Sequence, residues 1–258
     1  DGNFPNHHPD PGKVENLQDL IQAVKENSAD VGIAFDGDGD RLGVVTEEGD
    51  IIFPDQLMMI FAKDVLKNYP GKEIIFDVKC TNLLSNTINQ AGGIPLMSAT
   101  GHFHIKNTLK KTNAPLAGEM SGHIFFNDKW HGFDDGHYSA FRLLEIMNSL
   151  DMPLSAMLNE LPKAYSTPEL NINVEEEKKF KIVKDFVNKA QFKGGSKVTI
   201  DGLRVDFDDG WGLIRASNTT PKLVLRFEAK TSSRLKEIKN MFFNQLKLID
   251  ETIKVDIS

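Results

Sequence analysis

The chain has 258 residues, and its 30 Lys and Arg residues against 37 Asp and Glu residues give a net charge of −7 at pH 7. This length predicts two domains, or three small ones, at about 100 to 200 residues each. The negative charge argues against a general nucleic-acid binder, because neutralising phosphates requires a basic face. The apolar runs, such as Leu57 to Ala62, are far shorter than the roughly 20 residues of a membrane span, and Cys80 is the single cysteine. We therefore expect a cytoplasmic protein without a membrane or nucleic-acid partner.

The first part of the chain predicts strands that alternate with helices. Apolar residues at helical spacing follow Pro11 and stop at Asn27, and buried strands follow from Val31 to Phe35 and from Leu42 to Val45. The later predictions are a helix opened by Pro54, a strand over Glu73 to Val78, a helix over Thr81 to Ala91, a strand over Ile94 to Met97, a helix over Gly101 to Lys111, two short strands within Leu116 to Phe126 and a helix over Gly136 to Leu150. This alternation predicts βαβ units on a parallel sheet.

The pattern changes after Pro162. The predicted elements are then a helix over Glu175 to Ala190, strands over Val198 to Ile200, Leu203 to Phe207, Trp211 to Arg215 and Leu223 to Ala229, and a helix over Ser232 to Leu248. Consecutive strands between two helices predict a small antiparallel α+β domain. We place linkers near Phe53 and Leu161.

An acidic loop, Asp36-Gly37-Asp38-Gly39-Asp40-Arg41, joins two predicted strands. Its aspartates can wrap around one hard cation, because glycine permits the positive φ angles of a tight loop. An EF-hand is the rival, since the aspartates and Glu47 match its positions one, three, five and twelve. The EF-hand requires glycine where Arg41 stands, and helices where strands are predicted. We therefore favour a different metal loop, with Arg41 placed to meet a bound phosphate.

A second segment, Gly118-Glu119-Met120-Ser121-Gly122-His123, places a carboxylate and a hydroxyl two residues apart on one side of an extended chain. Glu119 can accept hydrogen bonds and Ser121 can donate or accept them, so the pair suits two adjacent sugar hydroxyls. An ordinary hairpin turn is the alternative interpretation.

A third segment, Arg215-Ala216-Ser217-Asn218-Thr219-Thr220-Pro221, offers a guanidinium, hydroxyls, an amide and backbone N–H groups in one short loop. Phosphate oxygens bind such donors. A merely polar connection between strands is equally compatible with this segment taken alone.

His102 and His104 lie at the start of a predicted helix. No acidic third ligand follows at a useful spacing, which argues against a zinc site. The helix start favours anion binding instead, with His102 and Lys106 one turn apart on the same face.

Five segments resemble the α-D-phosphohexomutases in their order and spacing. They are Phe35 to Arg41, Asp77 to Thr81, Thr100 to His102, Gly118 to His123 and Arg215 to Pro221. The similarity is closest to the bacterial phosphomannomutase/phosphoglucomutase branch, where a Gly-Glu-Met-Ser-Gly-His loop is usual. The phosphoglucosamine branch, which usually carries Gln in place of Met120, is the alternative.

The resemblance implies a fold of four domains around a deep cleft, three of them α/β and the fourth a TATA-binding-protein-like α+β domain. Residues 1–50 resemble the second half of domain 2, residues 51–161 resemble domain 3 and residues 162–258 resemble domain 4. The expected fold class is therefore mixed α/β domains followed by an α+β domain.

The resemblance also implies roles for the site residues, in three groups. The carboxylates that hold Mg²⁺ match Asp36, Asp38 and Asp40, and Arg41 matches the residue that supports the transferred phosphate. The family residues that contact the sugar's O3 and O4 match Glu119 and Ser121. Lys79 and His102 match residues near the sugar, and His102 would orient the sugar or transfer a proton. The residues that clamp the phosphate that does not react match Arg215, Ser217, Asn218 and Thr219.

The implied reaction transfers a phosphoryl group from a phosphoserine to hexose 1- or 6-phosphate through a bound 1,6-bisphosphate, with Mg²⁺ as cofactor and glucose 1,6-bisphosphate as activator. The family's phosphoserine lies in a Thr-Ala-Ser-His-Asn-Pro-like segment that these 258 residues do not contain. We therefore expect a portion of a larger enzyme that is inactive by itself, and a monomer. A metal-binding or phosphosugar-binding module without transferase activity is the rival function.

Overall fold

The computed structural model describes residues 2–251 and 253 and divides the chain into two compact units, with the boundary between Pro162 and Lys163. Among the described residues, no helix combines the length and the apolar character that a membrane crossing requires. The proposed three-part division of the chain at residues 50 and 161 stays a prediction.

The first unit begins with a helix and an antiparallel sheet. After a 3₁₀ turn at Val14–Leu17, helix α1 spans Gln18–Asn27. Strands β1 (Val31–Phe35), β2 (Leu42–Thr46) and β3 (Ile51–Ile52) follow, in the order β1-β2-β3. Phe35 pairs with Leu42, so the acidic loop is the turn of the β1–β2 hairpin. Strands on both sides of the loop confirm that prediction and contradict the EF-hand interpretation, which requires helices.

A four-stranded sheet follows in the same unit. Its elements in chain order are α2 (Pro54–Asn68), β4 (Glu73–Asp77), α3 (Asn82–Gln90), β5 (Ile94–Ser98), α4 (His102–Thr112), β6 (Leu116–Gly118), β7 (Ile124–Phe126), α5 (Gly136–Leu150) and α6 (Leu154–Asn159). The order is β5-β4-β6-β7, with β4 parallel to β5 and β6, and β7 antiparallel to β6. The parallel pairing predicted for this part of the chain is confirmed for β4, β5 and β6, whereas β7 and the β1-β2-β3 sheet are antiparallel. Helix α6 was not predicted. The carboxyl ends of β4, β5 and β6 meet at one edge, where ligand sites of α/β sheets lie.

One hydrophobic core joins the two sheets of this unit. Leu42 and Val44 of β2 belong to the same buried cluster as Phe61 of α2 and Phe126 of β7. Phe61 is fully buried, and burying a side chain of this size contributes about 1.5 to 3 kcal/mol. The shared core holds the hairpin that carries the acidic loop against the sheet that carries the sugar loop.

The second unit is an antiparallel α+β fold, as predicted. Its elements are β8 (Tyr165–Ser166), β9 (Leu170–Asn173), α7 (Glu176–Lys189), β10 (Ser196–Val198), β11 (Leu203–Phe207), β12 (Gly210–Ala216), β13 (Lys222–Ala229) and α8 (Ser232–Ile249). The sheet order is β10-β11-β12-β13-β8, and β9 also pairs with β13. Phe186 of α7 and Phe242 of α8 share a buried cluster with Phe227 of β13.

The predicted strand over Val198 to Ile200 is wrong in its bounds. Strand β10 ends at Val198, because it pairs over Ser196–Val198 with β11 and the chain then turns, which leaves Ile200 half exposed. Strands β8 and β9 were not predicted, since β8 has two exposed residues and β9 has only four, although Leu170 and Ile172 of β9 alternate with exposed asparagines.

Candidate functional site

The acidic loop brings its three carboxylates together. One oxygen each of Asp36, Asp38 and Asp40 lies within 4.8 Å of the other two. Gly39 has a φ of +78°, and a Cβ built on it would lie 2.7 Å from the His137 ring. Glycine is therefore required at position 39 both for the backbone conformation and for the space.

Arg41 binds the first of these carboxylates. Its Nε lies 2.7 Å from Asp36 Oδ2, its backbone N–H donates to Asp36 Oδ1 at 3.0 Å, and its NH1 lies 3.0 Å from Asp10 Oδ1. Burial raises the pKa of Asp36, but the hydrogen bonds and the charge of Arg41 outweigh it and lower that pKa to about 2. Asp36 is therefore ionised at neutral pH, and the guanidinium contacts two carboxylates. The predicted phosphate contact of Arg41 stays a prediction.

Asp40 has an unsatisfied acceptor. Its Oδ1 is buried and has no hydrogen-bond partner among the described residues. His123 Nε2 lies 3.5 Å from this oxygen, which makes a charge contact too long for a good hydrogen bond. Burial raises the pKa of Asp40, and the charges of Asp36 and Asp38 add to this, while His123 opposes it. A cation would satisfy the free oxygen and stabilise the ionised carboxylate, so the donor set fits a hard metal ion.

The sugar loop is the β6–β7 turn, and it contacts the acidic hairpin. Leu42 N donates to the Gly122 carbonyl at 3.1 Å, and Arg41 forms a β-bridge with His123. Gly122 has a φ of +102°, and a Cβ on it would lie 3.1 Å from the Leu42 carbonyl oxygen. The structure therefore brings the predicted metal and sugar residues of the first unit to one place.

His123 is the last residue of the sugar loop and contacts two of its side chains. Its Nδ1 is 2.8 Å from Ser121 Oγ and 3.2 Å from Glu119 Oε2. Burial lowers the pKa of His123, but the hydrogen bond and charge of Glu119 and the charge of Asp40 outweigh it and raise that pKa. Both predicted sugar-reading side chains therefore lie against a histidine to which the sequence analysis gave no role.

His102 is the first residue of α4, and its predicted neighbour Lys106 lies on the same face. Both contact Asp134, with His102 Nδ1 at 3.3 Å and Lys106 Nζ at 2.6 Å from its carboxylate oxygens. Burial raises the pKa of Asp134, but Lys106 outweighs it and the net pKa is lowered. The anion at this helix start is thus a carboxylate of the chain itself. Asp134 also forms a second group with metal-binding potential together with Asp40 and His123.

Lys79 follows the end of β4. Its side chain is buried, and its Nζ lies 4.0 Å from Asp77 Oδ2. Gly101 N donates to the Glu119 carboxylate, which links the loop before His102 to the sugar loop. Lys79 and Glu119 therefore lie on loops that leave one edge of the four-stranded sheet, and His102 begins the helix that follows a third such loop.

The predicted phosphate loop lies in the second unit, between β12 and β13. Ser217 N donates to the Lys222 carbonyl at 2.9 Å, and Ser217 Oγ accepts from Thr220 N at 3.1 Å and from Thr219 N at 3.4 Å. These bonds give the loop a compact turn, in which Asn218 is exposed.

Arg215 precedes this loop and has a free donor. Its Nε binds Asp201 Oδ2 at 2.8 Å, while its buried NH2 has no hydrogen-bond partner among the described residues. A buried guanidinium nitrogen without an acceptor fits an anionic ligand. On the other side of the loop, Lys179 Nζ donates to the Thr220 carbonyl at 3.1 Å. Lys179 is 1% exposed although it lies in a helix with many surface lysines. Its helical spacing from the buried Ile182, Val183 and Phe186 is the signal that could have located it.

The chain matches three sequence profiles of phosphoglucomutase/phosphomannomutase. They are alpha/beta/alpha domain II over residues 1–49, alpha/beta/alpha domain III over residues 53–165 and the C-terminal domain over residues 169–245. The chain belongs to the phosphoglucomutase/phosphomannomutase family, within the phosphohexomutase superfamily.

Members of this family align along nearly the whole chain. A phosphomannomutase/phosphoglucomutase of Pseudomonas aeruginosa is 57% identical over 255 residues, which cover 99% of this chain and 55% of that protein. A phosphoglucomutase of Neisseria gonorrhoeae is 57% identical over 244 residues, which cover 94% of this chain and 53% of that protein. The crystal structure of a phosphoglucomutase/phosphomannomutase family protein from Burkholderia thailandensis has a TM-score of 0.92 at 53% identity, covering 98% of this chain and 54% of that one. The chain thus spans about half the length of these relatives.

Proposed function

We propose that the chain supplies the metal, sugar and phosphate loops of an enzyme that interconverts hexose 1-phosphate and hexose 6-phosphate. The observation that carries this proposal is the contact between the acidic loop and the sugar loop. Leu42 N binds the Gly122 carbonyl, and His123 contacts both Asp40 and Glu119. A cation site beside a pair that can read a diol is the arrangement that transfer of a phosphoryl group to a sugar hydroxyl requires.

The acidic loop would hold Mg²⁺ through Asp36, Asp38 and Asp40. A bound Mg²⁺ would supply neutralisation of the charge on the transferred phosphoryl group. Asp36 is kept ionised by Arg41, and the unsatisfied oxygen of Asp40 is available to a ligand. Arg41 would exchange one of its carboxylate contacts for an oxygen of the reacting phosphate. Glucose 1,6-bisphosphate is the proposed activator of the whole enzyme.

The sugar loop explains how one site can accept both ends of a hexose. Exchanging C1 with C6 roughly exchanges O3 with O4, so Glu119 and Ser121 can hold the sugar in either orientation. Glucose and mannose differ only at C2, away from this pair. We therefore propose dual specificity, with Lys79 and His102 contacting the sugar from the neighbouring loops.

The phosphate that does not react would bind to the loop of the second unit. The unpartnered NH2 of Arg215 supplies a charge-assisted donor, and Ser217, Asn218 and Thr219 supply neutral ones. This loop recognises a phosphate more than a sugar. Because the phosphoserine segment of the family is not among these residues, we propose that the 258-residue chain binds phosphohexoses without turning them over. The cytoplasm remains the proposed compartment.

An NMR titration of the 258-residue chain tests this function. Glucose 1-phosphate and mannose 1-phosphate should shift the amide signals of Ser217 to Thr220 similarly and those of Glu119 to Ser121 to a smaller extent, whereas free glucose should leave the phosphate loop unchanged. Calorimetry with Mg²⁺ and Ca²⁺ distinguishes the proposed function from its rival, a metal-binding module without transferase activity. No response to either hexose phosphate, or submicromolar Ca²⁺ affinity, would contradict the proposal.

A further inference from the structure

Three loops of the first unit leave one sheet edge next to a buried carboxylate. Strand β4 ends at Asp77, its parallel neighbours β5 and β6 end at Ser98 and Gly118, and Val78 N donates to the Ser98 carbonyl at 3.1 Å. Asp77 is fully buried. Its carboxylate therefore lies where the loops that carry Lys79, His102 and Glu119 begin.

The two oxygens of Asp77 bind all three loops. Oδ1 accepts from Met120 N of the sugar loop at 3.2 Å and from Cys80 Sγ of its own loop at 3.2 Å. Oδ2 accepts from Thr100 Oγ1 of the loop before α4 at 2.9 Å and lies 4.0 Å from Lys79 Nζ. One carboxylate thus joins segments that are 43 residues apart in the sequence.

Glu119 is held from two sides by this arrangement. The Glu119 carboxylate accepts from Gly101 N, and the next residue, Met120, donates its backbone N–H to Asp77. Because Thr100 also binds Asp77, the loop before His102 and the sugar loop are tied together twice. A displacement of either loop would therefore move the Glu119 carboxylate.

Burying this carboxylate is unfavourable by itself. Burial raises the pKa of Asp77, Lys79 opposes this, and the negative charge of Glu119 adds to it. A buried carboxylate costs free energy unless hydrogen bonds compensate for its lost hydration. For Asp77 that compensation comes from groups on three different loops.

We propose that Asp77 is a positioning residue, which fixes the sugar loop, the loop before His102 and Lys79 relative to one another. The catalytic relevance of this inference rests on the proposed function, since these loops carry the proposed sugar contacts. Its structural content, the coupling of three loops by one side chain, can be tested without any ligand.

The test compares Asp77→Asn with a matched buried carboxylate. Asn has one acceptor oxygen, and the Lys79 ammonium, which donates only, favours that oxygen on the Thr100 side. The NH2 group then faces the Met120 N–H, which loses its acceptor. Asp128→Asn is the control, because the Asp128 side chain is 2% exposed in the same unit and its carboxylate accepts two hydrogen bonds from Arg142 of α5.

In the ligand-free chain, Asp77→Asn should shift the amide signals of residues 100–102 and 119–121 together and speed hydrogen exchange of Met120 N–H about tenfold or more. Asp128→Asn should leave these signals in place even if it lowers the melting temperature as much as Asp77→Asn does. If Asp77→Asn does not fold, Thr100→Val, which removes the hydroxyl, should shift the sugar-loop amides, while Thr100→Ser should not.

Loops unchanged in Asp77→Asn, or equal shifts in the Asp128 control, would overturn the proposal. Glucose 1-phosphate supplies the second readout, with about tenfold weaker binding expected in Asp77→Asn than in the control variant. If the unmodified chain does not bind glucose 1-phosphate, the proposed function fails, and the ligand-free comparison still decides whether Asp77 couples the loops.

Discussion

Replacing Arg215 by lysine tests the proposed phosphate site at the charged group of β12 that precedes the loop. The guanidinium is 5% exposed, its Nε is already bound to Asp201, and its NH2 has no partner among the described residues. Lysine keeps the positive charge, but its ammonium cannot bind Asp201 and a phosphate oxygen with the planar geometry of the guanidinium. The variant should therefore separate the contribution of charge from that of geometry.

The expected loss of phosphate affinity in Arg215→Lys follows from the hydrogen bond that the variant cannot make. A hydrogen bond to a charged group contributes about 1.5 to 3 kcal/mol, so losing one should weaken phosphate binding about 10- to 100-fold. With the ligand partly solvated, we expect a millimolar Kd for the unmodified chain, about −4 kcal/mol. The Kd of Arg215→Lys should then exceed about 10 mM.

The assay is a titration with glucose 1-phosphate followed by the amide signals of Ser217 to Thr220. Arg234→Lys is the matched control, because Arg234 also binds an aspartate in the second unit, through its contact with Asp209, but lies on α8. The control should respond as the unmodified chain does, and Arg215→Lys should lose most of the response. A normal response of Arg215→Lys, or an equal response to free glucose, would refute the reasoning.

Three further changes test other parts of the structure. Asp38→Asn should weaken Mg²⁺ binding in calorimetry, because it removes one of the clustered carboxylates; unchanged affinity would place the metal elsewhere. Burial raises the pKa of Glu47, but hydrogen bonds from Ser155 outweigh it and lower that pKa, so the stabilisation is present above pH 4.5 and is lost as the pH falls through the folded value. Glu47→Gln should therefore lower the free energy of unfolding by about 1 kcal/mol at pH 7 and by less at pH 3 in urea denaturation, and a difference that does not depend on pH would contradict this. Lys179→Met removes the hydrogen bond to the Thr220 carbonyl and should increase hydrogen exchange in residues 217–220, whereas unchanged protection would show that the loop keeps its turn without it.

The parts of the fold that the sequence predicted depend on local patterns. The glycines and aspartates between two apolar runs predicted two strands joined by an acidic loop, while their antiparallel pairing was not predicted. Asp135 caps α5 by accepting from Tyr138 N where the predicted helix begins. The family resemblance of five short segments placed the remaining loops, and the sequence profiles confirm the family. Turn chemistry and hydrophobic period are encoded within a few residues, so they can be recognised in one sequence.

The parts that were missed depend on contacts between distant segments. Asp134 meets His102 across 32 residues, and no local pattern marks its carboxylate as part of the site. Asp77 lies in one of the five segments that resemble the family, but nothing in that segment indicates its contact with Met120, 43 residues away. Lys179 was missed for a different reason, because its charge suggests the surface although its helical spacing places it on the face of the buried Ile182, Val183 and Phe186. A single sequence does not reveal such partners, because the residues next to each carboxylate carry no information about the distant segment that it contacts.

Paramagnetic broadening by Mn²⁺, used in place of Mg²⁺, tests the claim that the acidic loop and the sugar loop form one site. In an NMR titration of the 258-residue chain, low Mn²⁺ concentrations should first broaden the amide signals of Asp38 to Arg41 together with those of Gly122 and His123, which the structure places in contact with that loop. Asp38→Asn should require more Mn²⁺ for the same effect. Broadening of the acidic loop that spares Gly122 and His123, or broadening that begins at unrelated acidic segments such as Glu175 to Glu177, would contradict the account.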